Sequence, residues 1–238
     1  MKHPKTAAAV TMLLVAGVSL TSASADAGTA GGVDPAHFAH PRANPWFPLR
    51  PGTVSVYRGT EDRARFRERL VVSHRTRTIL GVRATEVHDV LRRADGTLAE
   101  KTRDWYAGDD RGNVWYFGEA TATYDRHGHL DSREGSWLTG VNGARAGLIM
   151  PANPGPTDAY RQEFLRGHAE DQAWNVQSDA RVRVPYGSVS HALRSFEWTR
   201  LEPGVVSVKF SGRGLGIVSE RDVAGGTERF ELVSVSHR

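Results

Sequence analysis

The sequence predicts a mainly β protein: a single antiparallel meander forming a strongly curved sheet or partly closed barrel. Three observations predict it. Short runs of alternating polar and apolar residues recur about every ten residues between Gly, Asp, Asn and Pro turns, the pattern of sequential strands. No long stretch shows the three-to-four spacing of an amphipathic helix. An aromatic hairpin, Thr102 to Glu119, carries Trp105–Tyr106 and Trp115–Tyr116–Phe117 on either side of a turn from Gly108 to Gly112. Side chains alternate along a strand, so Val114, Tyr116 and Gly118 face one way while Trp115 and Phe117 face the other. Aromatics on both faces are expected to put this hairpin inside a sheet covered on both sides, or on the wall of a barrel or half-barrel.

The 238 residues divide into three parts. Met1 to Lys5 carries Lys2 and Lys5, Ala7 to Leu20 is apolar, and Ala23-Ser24-Ala25 fits a small-x-small cleavage site. Residues 1–25 therefore read as a secretory signal cleaved after Ala25, which makes the protein secreted or extracytoplasmic. The apolar run falls short of the roughly 20 residues that a membrane span needs, and none is expected in the mature chain. Residues 26–43, rich in Ala, Gly and Asp, read as a flexible leader. Residues 44–238 form one β domain of the larger kind. Cysteine is absent, which excludes disulfides, thiolate metal sites and a cysteine nucleophile.

The net charge of +4 drops to +2 once Lys2 and Lys5 leave with the signal. Arginines alternate with acids, as in Glu61-Asp62-Arg63 and Arg67-Glu68-Arg69. That interleaving reads as a solvated, mixed surface rather than the one-sided basic stripe of a nucleic-acid binder, and no nucleic acid is expected as a partner.

The domain opens at Asn44-Pro45-Trp46-Phe47-Pro48-Leu49, where prolines hold the chain extended and Trp46, Phe47 and Leu49 offer a hydrophobic plug. Strands are expected over Thr53–Tyr57, Arg65–Ile79 and Val82–Arg92, with Asp95-Gly96 as a hairpin turn. After the aromatic hairpin, a turn at Asp125–His129 precedes a strand from Leu130 to Trp137. Between Gly140 and Gln172 the rhythm breaks into a long connection punctuated by Gly and Pro around the apolar island Leu148-Ile149-Met150. Such connections are uncommon in compact domains and are usually functional or mobile, so this one is expected to lie across an open face of the sheet. Within it Tyr160 to Leu165 reads as a strand. The strand rhythm resumes at Ala180–Val184 and continues through Val189–Thr199, Val205–Phe210, Leu215–Asp222 and Glu228–Val235.

Seven segments in order, NPWFPLRPGTVSVYRGTE, ILGVRATEV, TRDWYAGDDRGNVWYFGE, EGSWLTGVNGARAGLIMPANP, YRQEFLRGHAEDQ, VPYGS and WTRLEPGVV, resemble a family of exported bacterial proteins of actinobacterial type and uncharacterised function. The resemblance covers the chain from Asn44 and departs from the family at Lys209–Gly214. It implies no activity and no catalytic residue. The run of strands is also similar to envelope proteins with curved antiparallel sheets of the lipoprotein-carrier kind, by analogy of fold.

Gly167-His168-Ala169-Glu170-Asp171 puts an imidazole and two carboxylates within four positions. His168 and Glu170 share a strand face, and with Glu163 they would suit a divalent metal. The competing reading is a charged loop whose acids pair with nearby arginines. His127-Gly128-His129 reads as a turn. Asp109-Asp110-Arg111-Gly112-Asn113 lacks the sixth-position Gly and twelfth-position Glu of a calcium loop. No Gly-x-Ser-x-Gly, Ser-x-x-Lys or His-Glu-x-x-His motif is present, and no catalytic residue is assigned. Glycoside-cleaving carboxylate pairs depend on a separation that only the fold sets.

The aromatics speak for binding. Trp105, Trp115, Phe117, Trp137 and Met150 are the candidate contacts for a small molecule or lipid held on the curved sheet. The leading expectation is a secreted, non-enzymatic protein that binds an apolar or mixed ligand, with no cofactor assigned. A metal-binding module or metal-dependent hydrolase built on His168, Glu170 and Glu163 is the alternative, and a surface interaction module without ligand is the third.

Overall fold

The computed structural model describes residues 32–237, and the signal and the start of the leader lie outside them. All fifteen strands join one antiparallel sheet. Strands β1 (Thr53–Glu61), β2 (Ala64–Ile79), β3 (Val82–Arg93), β4 (Leu98–Gly108) and β5 (Val114–Tyr124) form the first meander. Strands β11 (Asp171–Val184), β12 (Gly187–Thr199), β13 (Val206–Gly212), β14 (Gly216–Ala224) and β15 (Arg229–His237) form the second. The two meet where β1 pairs with β15, Thr53 opposite His237.

Between them lie five short strands: β6 (Leu130–Ser132), β7 (Trp137–Leu138), β8 (Arg145–Met150), β9 (Ala159–Arg161) and β10 (Glu163–Phe164). The strand expected from Leu130 to Trp137 is thus split into β6 and β7, because Gly135 takes a φ of 90° between them. The long connection is corrected more substantially. It does not lie across an open face, because β8, β9 and β10 are wall. Strand β8 pairs with β5 on one side and with β10 on the other, while β9 pairs with β11. Gln162 alone separates β9 from β10, and its N–H donates to Asp171 O at 2.8 Å. The 159–164 segment therefore joins the two ends of the sheet and nearly closes a barrel, which satisfies backbone groups that an open edge would leave unpaired.

Close approach at this seam needs Gly147, where a Cβ would overlap the Gln162 backbone. Gly118 has a similar role. At φ 141° it forms a bulge opposite Trp105–Tyr106, and a Cβ there would overlap the backbone of Trp137 and Leu138. The extra residue changes the facing of β5. Tyr116 pairs with Tyr106, and beyond the bulge Glu119 pairs with Asp104, so Tyr116 and Glu119 share the inner face.

The plug is in place. Asn44 is 3 % exposed, donates to Gly112 O (2.8 Å) and Pro151 O (2.9 Å), and accepts from Trp46 N (2.8 Å). Trp46 packs with Val114 of β5, Met150 of β8 and Leu193 of β12, so the segment spans one end of the barrel from wall to wall. Gly214 N–H donates to Pro45 O and fastens it on the β13–β14 side.

The flexible leader is corrected from Val33 onward. A 3-10 turn at Pro35–Phe38 is capped by Asp34 and starts with a proline suited to the first turn. Phe38 stacks edge-on against Phe117 (5.4 Å) and Trp115 (6.3 Å). Arg42 N–H donates to Asp109 O, and Asp110 N–H to His37 O, which holds the segment on the outside of β4 and β5.

Candidate functional site

Alternation along the strands sorts charge. In Glu100-Lys101-Thr102-Arg103-Asp104 of β4, Lys101 and Arg103 are exposed while Thr102 and Asp104 are buried. In β2, Arg65, Arg67 and Arg69 are exposed, and Phe66, Glu68, Leu70 and Val72 turn away from solvent. Among the described residues the same sorting around the barrel gives an interior lined by fourteen acidic residues and a single basic one, Lys209. The sequence reading of a mixed, solvated surface is corrected accordingly. Arginines and acids adjacent in sequence point through opposite faces of one wall.

The interior consists of two chambers that share Asp171, Lys209 and Glu220. The outer chamber, about 370 Å³, is bounded by the β1–β2 turn (Asp62), the β12–β13 turn (Glu202) and the β14–β15 turn (Gly225 to Glu228), which form an acidic mouth. The inner chamber, about 310 Å³, ends against Phe47, Pro48 and Leu49 of the plug. Its wall carries Leu70, Val72, Val87, Ile149, Leu215 and Ile217, together with Glu68, Asp89, Glu100, Asp104, Glu119 and Glu163. Eight acids line each chamber, two of them shared, so acid runs the length of the interior and the inner chamber adds the apolar surface.

These carboxyls repel one another in a poorly solvated space, and both effects favour the protonated form. Burial, then repulsion from Asp62 and Asp222, raises Glu61 to about 7. Burial raises Glu68 to about 7 against the contact of its carboxyl with that of Asp89, and Asp89 is pushed well up by burial and by Glu68. Asp104 rises to about 8 through burial, although Tyr116 Oη donates to its Oδ1 at 2.6 Å and works the other way. Burial and Asp104 push Glu119 well up; burial and Asp171 do the same to Glu163, which is 4 % exposed. Asp171 rises to about 6 and Glu228 to about 8, chiefly through burial.

Among the described residues Lys209 is the only basic side chain that lines either chamber. Its Nζ lies 2.7 Å from Glu197 Oε2 and 3.2 Å from Glu220 Oε1. Burial works to lower it, and the two carboxylates more than reverse that. Of the acids that line the chambers, Asp89 and Asp171 each have one oxygen, Oδ1, that is closed off from solvent and meets no donor among the described residues.

The candidate ligand residues sit elsewhere. Trp105 and Phe117 pack with Val33, Ile79, Val82 and Ala84, with Trp115 against that cluster, beneath the docked leader. Arg77 covers the Trp105 ring from outside at 4.3 Å, and Trp105 Nε1 donates to Glu86. Trp137 packs with Tyr116, Ala144 and Ala169, and Met150 with the plug. None of the five lines either chamber. Parity explains it: Trp105 alternates with Asp104 and Tyr106, and those two take the inner face. Sequence reasoning missed the acidic lining, whose signal was the regular in–out alternation of acid and base along β2 and β4.

The candidate metal ligands are not brought together either. Glu163 lines the inner chamber, whereas Glu170 pairs with Arg200 and accepts from Gly167 N at 2.8 Å. Despite burial, these donors hold its carboxyl below the usual range. Among the described residues no three His, Asp or Glu side chains are grouped to hold a metal ion. The arginine that pairs with Glu170 is Arg200, just after β12, and not a neighbour within the loop.

No family model matches the chain, and no curated protein matches it in sequence. Among solved structures, the barrel is similar to a candidate exported protein with a YmcC-like fold from Bacteroides fragilis. That match has a TM-score of 0.49 and 12 % identity, and covers 80 % of this chain and 98 % of that one. It is also similar to a candidate lipoprotein from Parabacteroides distasonis, with a TM-score of 0.45, 10 % identity, and coverage of 82 % and 100 %. The family resemblance of the seven segments therefore stands on the sequence alone. Among the described residues no helix is long and apolar enough to cross a membrane.

Proposed function

We propose that this chain is an exported, non-enzymatic binding protein that holds an apolar or mixed small molecule or lipid inside its barrel. The signal at residues 1–25 sends it out of the cytoplasm. The observation that carries the reading is the pair of adjoining chambers inside the barrel, both lined by acids and the inner one also by apolar side chains, each of a size suited to one small ligand. The acids form an extended lining rather than two carboxyls isolated about one point, which favours holding a ligand over cleaving a bond.

Titration of the exported protein with an uncharged, environment-sensitive amphiphile, N-phenyl-1-naphthylamine, tests this. Saturable enhancement at one dye per chain is expected, lost when Ile149→Trp or Val72→Trp fills the inner chamber while the fold is retained by circular dichroism. No saturable binding to the native protein would overturn the reading.

A further inference from the structure

We propose that the ligand is a cationic amphiphile, its aliphatic chain against Leu70, Val72, Ile149 and the plug and its ammonium group among Glu68, Asp89 and Asp171. This rests on the binding reading above and names the ligand class.

Three observations meet here. The first is charge sorting: the described interior carries fourteen acids against the single ammonium of Lys209, and the arginines are left outside. A low-dielectric cleft with one sign of charge concentrates ligands of the opposite sign at its mouth and repels those of its own. The second is a carboxyl pair: Glu68 and Asp89 both line the inner chamber with their carboxyls in contact, and burial raises both. An ammonium brings three donors and a positive charge to such a place. The third is the apolar surface of the inner chamber: Leu70, Val72, Val87, Ile149, Leu215 and Ile217 line it together with Phe47, Pro48 and Leu49 of the plug, which gives an aliphatic chain a place beside the carboxyls.

Lys209 displays the same chemistry within the protein, one ammonium clasped by two carboxylates from adjacent strands. The interior has room and carboxyls for a second ammonium, and the protein supplies none. An anionic head would face the same repulsion that the acids already exert on one another. An uncharged head would leave that repulsion in place.

Calorimetric titration of the exported protein at about pH 7.5 in low salt, with decylammonium, 1-decanol, decanoate and methylammonium, tests the proposal. Decylammonium is expected to bind one to one and about tenfold or more tighter than decanol, with decanoate weaker still and methylammonium far weaker. The double variant Glu68→Gln/Asp89→Asn is expected to lose that tenfold preference while its thermal midpoint stays level or rises, since mutual repulsion is removed. A merely structural pair would lower the midpoint instead. Asp171→Asn serves as a second variant where the double variant does not fold. Decanol or decanoate binding as tightly as decylammonium would overturn the cationic class and leave the binding reading standing. Methylammonium binding as tightly would overturn the amphiphile, and a preference surviving all three substitutions would overturn the placement of the ammonium. Absence of binding by all four, together with no dye binding, would overturn both proposals.

Discussion

The ammonium of Lys209 on β13 lies 2.7 Å from the Glu197 carboxylate on β12, the shorter of its two contacts at the junction of the chambers. Because Glu220 closes on it from β14, this one cation offsets charge on both neighbouring strands. Lys209→Met is expected to destabilise the barrel by about 2 kcal/mol at pH 8, less than the 3–5 kcal/mol typical of breaking a fully buried pair. Glu220 already tends to keep its proton through burial, so the loss is expected to shrink near pH 5. Urea denaturation at the two pH values measures it, and equal losses would contradict this account.

Stability is expected to fall as pH rises from about 5 to about 8.5. A carboxyl whose folded pKa exceeds its unfolded value near 4 binds its proton more tightly in the native state, which favours folding at low pH. That advantage is lost through the folded values of about 6 for Asp171, about 7 for Glu61 and Glu68, and about 8 for Asp104 and Glu228. Glu170 and Glu231 are shifted down and act oppositely, costing stability only as pH falls below about 4. Calorimetry should find the highest midpoint near pH 5, and Asp104→Asn should flatten the fall above pH 7 while retaining an acceptor for Tyr116.

The seam depends on Gly147. Gly147→Ala puts a methyl into the Gln162 backbone, and the β8–β10 pairing must separate or shift. A loss of about 2–3 kcal/mol is expected, in the range of overpacked sites. Hydrogen exchange should show faster exchange at Ala146 and Glu163, with β1–β3 unaffected.

The plug depends on Asn44. Asn44→Ala removes donors from Gly112 O and Pro151 O and the acceptor of Trp46 N. The loss is expected at about 1–3 kcal/mol, the cost of leaving buried polar groups unmet. Thermal denaturation checks the size, and the Trp46 environment should become more solvent-exposed by fluorescence quenching.

Much of the barrel was legible in the sequence. Turn residues such as Asp95-Gly96 and Gly225-Gly226 marked hairpins because their backbones bend where others resist, and strands between them alternate by covalent geometry. The prolines and aromatics of 44–49 announced a plug. Long-range relations were not legible. Nothing local marks 159–164 as the strand that brings two distant edges together, because its partners Ala146 and Ala173 become neighbours only when both meanders curve. Trp105, Trp115 and Phe117 looked like ligand contacts because aromatics serve both sites and cores, and only the docked leader decides that they are covered outside the barrel.

The sequence by itself determined that the chain is built of antiparallel strands and which side chains share a face, since both follow from backbone geometry within a few residues. Tertiary structure decided which face is the inside. The facing of Tyr116 and Glu119 turns on the Gly118 bulge, and closure at Gln162 gathers acids from many strands into one enclosed space. Burial and mutual repulsion exist only once that space is closed, so acids that read as a solvated surface become an acidic interior whose carboxyls hold their protons and which one lysine serves.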